Sequence, residues 1–563
     1  MRNKIQTAFV LAAGYGKRLK PLTDILPKPL LPIGDSSPLL MIFDKLAKCG
    51  IKRIIVNTHH LPEKFDEAFA QFSTDGKIIY KGVEIIKIFE DKILDTGGGI
   101  KNAFDLLKDD EAFLVHNADI ISNINLKKFT DEAKSILADG NIGAVICLRE
   151  KGAIKNVGVN GNFVCDMRST TNIPAEKMMQ YMGIFVANKK FLLAAKNFQS
   201  DVFSTVDVFL KLIKENNKSV RAYSCNNVFW SDIGTLKEYL KAHKHKDDIF
   251  AILAKLADFG FIAKNFSLIK KGASSRHFLR FTGEDGKKLI ACFFGKNKRE
   301  DFLYGTIAKF LSKNKIPVPE ILKACNRRRI IVMQDVGSTD LLESASDDID
   351  KSGYYYGLAI ESARKLHTIA TDAFTKAPFE LSAPFDENLY NWEQDYFKQE
   401  TLKGKFALEA SVELECELAD IKQKLLKQKQ VLLLRDFQSQ NVMIDDGKIS
   451  LIDFQGMRFG CAMYDIASLL FDPYIWLPEH LIDDLLKLYF RGTPDSGQLD
   501  IFYTAACQRL LQALGAYGFL SIKCNKPEYA NHFESALKRL EFCAEKANYC
   551  ILANTARECL SLL

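Results

Sequence analysis

The N-terminal part of the chain alternates short apolar runs with longer segments of helical periodicity. Apolar runs with few polar interruptions predict strands buried on both faces, and the segments between them predict crossover helices. The predicted strands are residues 7–12, 53–57, 83–89, 112–116 and 143–148, and a helix is predicted at 38–49. Strand, helix and strand in this order favour an α/β domain with a mostly parallel sheet covered on both faces.

The pattern changes after a polar stretch at residues 241–248, which reads K-A-H-K-H-K-D-D. Two apolar runs, 278–282 and 288–294, flank the turn-rich sequence G-E-D-G and predict an antiparallel hairpin. The remaining predicted elements are a helix at 299–313, strands at 329–334, 431–434 and 449–452, and helices over most of the chain beyond residue 354.

These changes predict a chain of two domains. The first is expected at residues 1–243. The second, at residues 252–563, is expected to be an α+β domain with a small sheet lobe (252–337) and a larger helical lobe (338–563).

Length and composition agree with a multidomain globular protein. At 563 residues the chain is too long for one hydrophobic core. The net charge of +7 is small for this length and not concentrated in a Lys/Arg tract, which argues against nucleic acid or a membrane as partner. Thirteen cysteines without C-x-x-C pairs suit a reduced compartment. With no secretory leader and no apolar run of ~18 residues, we expect a cytoplasmic protein, its oligomeric state left open.

A glycine-containing segment follows the first predicted strand. It reads L-A-A-G-Y-G-K-R-L, then P-L-T, then P-K-P-L-L-P. Glycines lack a Cβ and let backbone N–H groups approach a phosphate closely. Arg18 and Lys28 supply charge for a triphosphate and a departing pyrophosphate, which makes both candidate catalytic residues. The candidate nucleotide-binding residues are Leu11, Ala12, Ala13, Gly14 and Gly16.

This string resembles the sugar-phosphate nucleotidylyltransferases, a Rossmann-like family that joins a nucleoside triphosphate to a sugar 1-phosphate; the resemblance covers residues 5–242. L-D-T-G-G-G at 94–99 is similar to the segment with which the family contacts base and sugar. The resemblance implies that Gly98 binds the nucleotide. It further implies that Asp95, Asn117 and Gly183 bind the sugar substrate.

The same resemblance implies a Mg²⁺ site held by two aspartates. H-N-A-D ends a predicted strand at Asp119, and W-S-D-I-G-T contains Asp232. Two carboxylates on one Mg²⁺ suit this chemistry, because the ion neutralises charge as two anionic phosphates meet. Plainer interpretations remain open: Asp119 as a helix cap, Asp232 as a turn residue, and the glycines at 97–99 as a flexible turn.

A second polar constellation lies far downstream. Asp436 and Asn441 are five residues apart, and Asp453 follows twelve residues later, after a short predicted strand. This is the spacing of the catalytic loop and the metal-binding strand end in protein-kinase-like folds. Asp436 is therefore the candidate catalytic residue that accepts the proton of an attacking hydroxyl. Asn441 and Asp453 are the candidates to hold Mg²⁺ against the phosphates of ATP.

Residues 252–540 resemble the aminoglycoside-phosphotransferase-like kinases. The strings R-D-F-Q-S-Q-N, I-D-F-Q, Y-D-I-A-S-L-L and G-A-S-S-R-H-F are similar to those of the anomeric kinases of N-acetylmuramate and N-acetylglucosamine. The resemblance implies that Ser274 and Arg276 lie at the turn covering the phosphates. It also implies that Met333 lies at the hinge that receives adenine.

The chain departs from the kinase pattern. Leu434 stands where protein kinases carry histidine, Gln455 where they carry glycine, and the strand at 288–294 has no central lysine to pair with phosphates. Asp465 is expected to brace the helix that follows it. The candidates for the missing cation are Arg276, Lys271 and Lys296, any of which could instead be a solvated surface charge.

Both signatures on one chain predict a bifunctional enzyme. The C-terminal half would phosphorylate the anomeric hydroxyl of an amino sugar with ATP, and the N-terminal half would then transfer a nucleotidyl group from UTP to the sugar 1-phosphate. The resemblances point to N-acetylmuramate or N-acetylglucosamine and to peptidoglycan recycling. Three alternatives remain: a choline-type kinase fused to a CTP:phosphocholine cytidylyltransferase, an enzyme for another hexose 1-phosphate, and a nucleotide-binding sensor or scaffold.

Overall fold

The computed structural model describes residues 4–152, 154–171, 173–243, 248–269, 276–296, 299–377 and 379–563. The chain divides into two compact units, Met1–Lys264 and Asn265–Leu563, called here the first and second unit. Each unit has hydrophobic clusters of its own. Within the described residues, no helix is both long enough and apolar enough to cross a membrane.

The first unit is built on a mixed sheet. Its strands are β1 (Thr7–Leu11), β2 (Arg53–Thr58), β3 (Ser73–Thr74), β4 (Lys77–Tyr80), β5 (Val83–Phe89), β6 (Ala112–Asn117), β7 (Ile120–Ser122), β8 (Ala144–Arg149), β9 (Val157–Asn160), β10 (Phe163–Met167), β11 (Lys177–Asn188), β12 (Val220–Ser224) and β13 (Trp230–Asp232). The described strands of the large sheet follow the order β3-β4-β5-β2-β1-β6-β11-β8-β12-β10-β9, and β13 pairs separately with β7.

Helices cover both faces of this sheet, and an apolar cluster lies under each face. The helices are α1 (Pro38–Cys49), α2 (Pro62–Ala70), α3 (Asp95–Asn102), α4 (Phe104–Leu107), α5 (Leu126–Leu137), α6 (Lys189–Lys196), α7 (Thr205–Glu215), α8 (Leu236–Ala242) and α9 (Ile249–Asp258). Local sequence explains α1 well: the Ser37 side chain accepts from Leu40 N, Pro38 fills the first turn, and Gly50 ends the helix in the left-handed conformation.

The sheet is mixed, whereas the sequence pattern predicts a mostly parallel one. The pairs β1–β2, β2–β5, β1–β6 and β8–β12 are parallel. The long strand β11, however, runs antiparallel to both β6 and β8. Its buried, apolar middle gives no sign of direction, because parallel and antiparallel central strands carry the same kind of residue.

The second unit combines a small sheet with a larger helical part. Its strands are β14 (Lys264–Ile269), β15 (His277–Thr282), β16 (Lys288–Phe293), β17 (Ile321–Cys325), β18 (Ile330–Gln334), β19 (Thr339–Asp340), β20 (Gln430–Leu433), β21 (Val442–Asp445), β22 (Lys448–Leu451) and β23 (Arg458–Cys461). The order β14-β15-β16-β18-β17 forms the main sheet of the described strands, with β19-β21-β22 and β20-β23 as smaller sheets. The predicted hairpin is present as β15 and β16.

The helices of the second unit mostly follow its main sheet in sequence. They are α10 (Arg299–Lys313), α11 (Leu341–Asp347), α12 (Ile349–Lys365), α13 (Thr371–Phe374), α14 (Glu387–Tyr396), α15 (Gly404–Phe406), α16 (Val412–Leu426), α17 (Ala462–Leu470), α18 (Glu479–Phe490), α19 (Ser496–Gly518), α20 (Phe533–Lys546) and α21 (Cys550–Ser561). The long helix α19 buries most of its side chains, which makes it a central element of the helical part.

Candidate active sites

A cavity of about 270 Å³ in the first unit collects most of the residues that the glycine-rich string had singled out. Because β1 and β6 are parallel neighbours, the segments that follow them meet at one edge of the sheet. The cavity is lined by Leu11, Ala12, Gly14, Gly16, Lys17, Arg18, Lys28, Pro29, Ala118, Asp119 and Gly234. Ala13 is buried and does not line it.

Gly16 is required by the turn that carries the basic residues. Its φ of +60° lies in the left-handed region, and a Cβ at this position would come within 2.8 Å of Thr23 Cγ2 and 3.2 Å of Lys28 Cβ. Any side chain would therefore be strained and would push the two basic segments apart. The short 3₁₀ turns Lys17–Leu19 and Lys28–Leu30 follow, and they present Arg18 and Lys28 to the cavity.

Lys28 lies between the two predicted metal aspartates. Its Nζ donates to Asp119 Oδ2 and forms an ion pair of 3.7 Å with Asp232 Oδ1. The two aspartates come together because β13 pairs with β7, which places Asp232 opposite Ile120. Arg18 approaches from the side of Gly234. The structure thus joins two carboxylates and two basic side chains that lie far apart in sequence.

The chemistry of this cluster fits a hard divalent cation. Burial and the neighbouring Asp119 raise the pKa of Asp232, while Lys28 and Arg18 act in the opposite direction. Asp119 Oδ1 and Asp232 Oδ1 are buried without a hydrogen-bond partner in the described part of the chain. Orphaned carboxylate oxygens of this kind suit Mg²⁺, which takes one or two carboxylates and completes its shell with water and phosphate.

Larger ligand sets are absent from the part of the chain that the structure describes. No three His, Cys, Asp or Glu side chains come together there in an arrangement that could hold a metal ion. A cation at Asp119 and Asp232 would therefore rely on the bound phosphates and on water for its remaining ligands.

The D-T-G-G-G segment is a helix, α3, rather than the loop suggested by its glycines. A Cβ on Gly98 would lie 2.0 Å from the backbone oxygen of Asp201, so α3 packs directly against the segment before α7. Asp95 begins the helix with φ of +59°, is exposed, and its Oδ1 accepts from Thr96 N. Tertiary packing of glycine backbone has overridden the weak helix propensity of the sequence.

A buried amide–carboxyl pair connects this helix to the glycine-rich string. Asn57, at the end of β2, accepts from Ala12 N at 2.8 Å and donates to Glu90 Oε1 at 2.8 Å. Glu90 Oε2 accepts from Leu94 N just before α3. Burial raises the pKa of Glu90 above its ordinary value, although Asn57 and Leu94 oppose this. The pair was not predicted, because Glu90 carries no sequence motif and lies outside the string.

The two remaining sugar-site candidates are neighbours. Asn117 ends β6, and Gly183 lies on β11 with φ of +73°. A Cβ at 183 would come within 2.9 Å of Asn117 Nδ2, so the strand approaches this amide closely. Asn117 directly precedes Ala118 and Asp119 of the cavity lining, so the close contact between Asn117 and Gly183 lies beside this end of the cavity.

In the second unit, Asp465 holds the backbone at the start of the predicted catalytic loop. Its two carboxylate oxygens accept from Leu434 N at 2.7 Å and from Arg435 N at 2.9 Å. Asp465 therefore braces the catalytic loop, whereas the sequence had led us to expect that it braces the following helix. Asn441 Nδ2 donates to the backbone oxygen of Asp436 at 2.7 Å, which links both ends of the loop and fixes the orientation of the Asn441 amide.

Asp453 lies where β22 leads into the next turn, with φ of +61°. Its Oδ1 accepts from Arg276 Nη1 at 3.0 Å and from Gln455 Nε2 at 2.7 Å. Burial lowers the pKa of the Arg276 guanidinium, but the negative charges of Asp453 and Asp301 have the larger combined effect, so its pKa is raised. The oxygen donors of Asn441 and Asp453 are of the type that Mg²⁺ prefers. Arg276 is the candidate cation that the structure places at this carboxylate.

Met333, predicted at the adenine hinge, and Lys296 are two further candidates that the structure describes. Met333 is buried in β18, where its Sδ accepts from Tyr304 Oη at 3.7 Å. Lys296 is exposed. Ser274 and Lys271 lie outside the described residues. Sequence reasoning had missed Asp301 and had noted Gln455 only as a departure from glycine; an acid early in the helix after the hairpin was the available signal for Asp301.

Comparison with known proteins gives a separate assignment to each half of the chain. Residues 7–248 match the Nucleotidyl transferase family, and residues 265–501 match the Phosphotransferase enzyme family. These matches confirm the predicted fold classes, a Rossmann-like nucleotidyltransferase domain and a kinase-like α+β domain. Both descriptions are those of transferases.

Individual relatives cover the first half. The chain is 27% identical over 236 residues to mannose-1-phosphate guanylyltransferase of Mycobacterium tuberculosis, covering 42% of this chain and 62% of that protein, which is less than two thirds of its length. It is 29% identical over 234 residues to D-glycero-alpha-D-manno-heptose 1-phosphate guanylyltransferase of Campylobacter jejuni, covering 41% and 96%. The solved structure of HddC from Yersinia pseudotuberculosis aligns with 42% of this chain and 98% of its own, at 21% identity and a TM-score of 0.33.

Proposed function

Since the chain joins a nucleotidyl transferase domain to a phosphotransferase domain, we propose that it makes a sugar 1-phosphate and then activates it with a nucleotide. In this proposal the second unit phosphorylates the anomeric hydroxyl of N-acetylmuramate or N-acetylglucosamine with ATP. The first unit couples the product to UTP, giving a UDP-sugar and pyrophosphate. The reaction pair would serve the salvage of cell-wall sugars in the cytoplasm.

The arrangement that carries this proposal is the cluster of Lys28, Arg18, Asp119 and Asp232 in the first unit. In nucleotidyl transfer a phosphate oxygen of the sugar 1-phosphate attacks the α-phosphorus of UTP, and the bond to the β-phosphate oxygen breaks. The attacking oxygen is already ionised, so no general base is needed. Lys28 and Arg18 stabilise the charge that accumulates on the transferring phosphate and on the departing pyrophosphate.

In the second unit, Asp436 accepts the proton of the anomeric hydroxyl as its oxygen attacks the γ-phosphorus of ATP and ADP leaves. The backbone hydrogen bond from Asn441 and the brace by Asp465 hold this carboxylate loop in place. Arg276, near Asp453, contributes positive charge for the phosphates. In both units Mg²⁺, when held by Asp119 with Asp232 and by Asn441 with Asp453, supplies charge neutralisation between phosphates.

A second candidate changes the nucleotide and the sugar. The relatives of the first half are named as guanylyltransferases for mannose 1-phosphate and for a heptose 1-phosphate. This observation favours GTP with a neutral hexose or heptose 1-phosphate as the alternative pair of substrates. The phosphotransferase half would then phosphorylate the corresponding free sugar.

A single incubation distinguishes these candidates. Purified protein is mixed with Mg²⁺, ATP and either UTP, GTP or CTP, together with a panel of N-acetylmuramate, N-acetylglucosamine, mannose, heptoses and choline, and products are identified by mass spectrometry. The proposal predicts a UDP-amino sugar that forms only when ATP and UTP are both present. Chains with Asp436→Asn and with Asp232→Asn serve as matched controls, each removing one step.

Other outcomes revise the proposal in defined ways. A GDP-sugar would replace the uridylyl assignment by the second candidate. Formation of CDP-choline would replace both. Turnover of added sugar 1-phosphates without phosphorylation of any free acceptor would leave the first unit's activity and contradict the kinase step.

A further inference from the structure

In the described part of the chain, two side chains donate hydrogen bonds to the Asp453 carboxylate, and both donate to the same oxygen. Arg276 Nη1 and Gln455 Nε2 lie 3.0 and 2.7 Å from Oδ1. A carboxylate held by two donors on one oxygen has a fixed rotation about its Cβ–Cγ bond. The other oxygen, Oδ2, is then presented in a defined direction.

Arg276 is itself held by a second carboxylate. Its Nε lies 3.2 Å from Oδ1 of Asp301, a residue on the first turn of α10. The side chains of Arg276 and Asp301 are 12% and 3% exposed, so this ion pair is shielded from water. A buried carboxylate is tolerated when a cation pairs with it, and the planar guanidinium can bridge two carboxylates at once. Asp301 therefore fixes the direction from which Arg276 reaches Asp453.

Helix α10 also contacts the residue that follows Asp453. Tyr304, three residues after Asp301 and thus on the same face of the helix, stacks on Phe454 with ring centroids 4.5 Å apart. The same helix thus contacts the D-F-Q segment in two ways. Asp301 pairs with Arg276, which in turn pairs with Asp453, and Tyr304 stacks on Phe454. Its position determines where the Asp453 carboxylate lies.

We propose that Asp301, Arg276 and Gln455 form a clamp that locks Oδ1 of Asp453, leaves Oδ2 for the metal of the bound nucleotide, and places the Arg276 guanidinium against the phosphates in the role of the missing strand lysine. Asp301 and Gln455 are positioning residues in this arrangement. The inference rests on the phosphotransfer function proposed above.

The position of Arg276 accounts for the missing lysine. β15 pairs with β16 so that His277 lies opposite Phe293, which places Arg276 beside the end of the strand that would have carried the lysine. A cation 3.0 Å from the metal-binding carboxylate stands within reach of the phosphate oxygens that the metal contacts. Gln455 stands where protein kinases carry glycine, and its side chain supplies the second hydrogen-bond donor to Asp453 Oδ1.

The clamp is tested by ATP binding and by kinetics on the full-length chain. Gln455→Met removes a donor and keeps the bulk, Asp301→Asn removes the charge that orients Arg276, and Asp301→Glu retains it. Asp500→Asn, which breaks a Lys424–Asp500 ion pair between α16 and α19, controls for the loss of any ion pair. ATP binding is measured by calorimetry with and without Mg²⁺, in a Lys28→Met background that weakens binding in the first unit. Thermal unfolding is recorded for every variant.

We expect Gln455→Met and Asp301→Asn to weaken Mg²⁺-dependent ATP binding by roughly tenfold or more, the usual effect of removing a group that orients a metal ligand. The KM for ATP should rise more than kcat falls, and Asp301→Glu should recover part of the loss. Binding equal to that of Asp500→Asn would overturn the clamp. If Asp301→Asn does not fold, Gln455→Met decides alone. Wild-type protein that binds Mg·ATP but phosphorylates no acceptor would refute the proposed reaction. The comparison of ATP binding among the variants would still test the clamp.

Discussion

Lys28 shows how a single residue organises a site before any ligand arrives. It pairs with Asp119 and Asp232, two carboxylates brought together by the β7–β13 pairing. Two carboxylates in close proximity repel each other, and the ammonium offsets that repulsion. A cation held by the two carboxylates would take over this charge compensation, and Lys28 would then be available to contact phosphates.

Replacing Lys28 by methionine should reduce nucleotidyl transfer by roughly 10²- to 10³-fold, the range seen when one group that stabilises developing charge is removed. The measurement is pyrophosphate release with an added sugar 1-phosphate and its nucleotide. Lys81→Met, which breaks an exposed ion pair with Asp44 in the same unit, is the matched control. Equal rates for the two variants would remove Lys28 from the mechanism.

His116 makes the stability of the first unit sensitive to acid. It is buried on β6, and burial lowers its pKa to about 4 from an ordinary 6.5. Between these values the unfolded chain binds a proton that the folded chain does not, so stability falls as the pH drops from 6.5 toward 4. The full effect is on the order of 3 kcal/mol.

His116→Gln, which cannot become charged, should therefore lose less stability than the wild type when the pH is lowered from about 7 to about 5. Urea unfolding at the two pH values measures this difference. An unchanged pH dependence in the variant would assign the acid sensitivity to other groups.

At the scale of elements, the sequence was most informative where local signals and burial agree. The helices α1 and α10 have the predicted boundaries, and β5 does as well. For α1 the cap at Ser37 and the left-handed Gly50 encode both ends. α3 could not be predicted, because three successive glycines have low helix propensity and the segments that stabilise it are distant in sequence.

The same limit applies to the candidate sites. Motif spacing predicted Asp119, Asp436 and Asp453 as site residues, because each follows a strand whose apolar run is visible in the sequence. Asp232 was predicted from the W-S-D-I-G-T segment alone. The groups around Asp453, Arg276 and Gln455 in direct contact and Asp301 behind Arg276, act through side-chain geometry. No periodicity encodes such contacts: the sequence offered an acid early in a helix as the signal for Asp301, and the contact itself became visible only in the structure.

The close packing of α3 gives a test at this scale. Gly98→Ala would place a methyl 2.0 Å from the backbone oxygen of Asp201, so α3 or its neighbour must move. We expect kcat/KM for nucleotidyl transfer to fall roughly 10- to 100-fold, because α3 is proposed to contact the substrates and misplacing such an element is costly. Gly140→Ala, where nothing lies within 4 Å, is the control and should retain full activity. Loss in both variants would point to a general effect on stability.

At the scale of the whole molecule, the chain consists of two units with separate hydrophobic clusters. A unit that buries its own core is expected to fold without the rest of the chain. The proposed function can therefore be divided along the same line, with nucleotidyl transfer proposed for one unit and phosphotransfer for the other.

A cut between α9 and β14 should yield two folded fragments, each with cooperative unfolding and with its own half-reaction. Circular dichroism during heating tests folding, and assays with added sugar 1-phosphate or free sugar test activity. A first fragment that unfolds non-cooperatively, or that is inactive while the intact chain is active, would contradict the independence of the units.

Asp436→Asn in the intact chain should reduce phosphotransfer by roughly 10²- to 10⁴-fold, the usual contribution of a positioned general base. Transfer of a nucleotidyl group to an added sugar 1-phosphate should be unchanged. The two rates, measured by mass spectrometry of both products, would establish that nucleotidyl transfer does not depend on the phosphotransfer step. A parallel fall in both rates would show that the half-reactions are coupled.

The grouping of Lys28 and Arg18 near Asp119 and Asp232 has a kinetic consequence. The four charges of this cluster sum to zero, so the ligand-free cluster itself contributes little to the field beyond the cavity mouth. Capture of a magnesium–nucleotide complex by this cluster then depends on short-range contact rather than on long-range attraction. Its association rate should change little with ionic strength, whereas release of the highly charged pyrophosphate should quicken as salt is added.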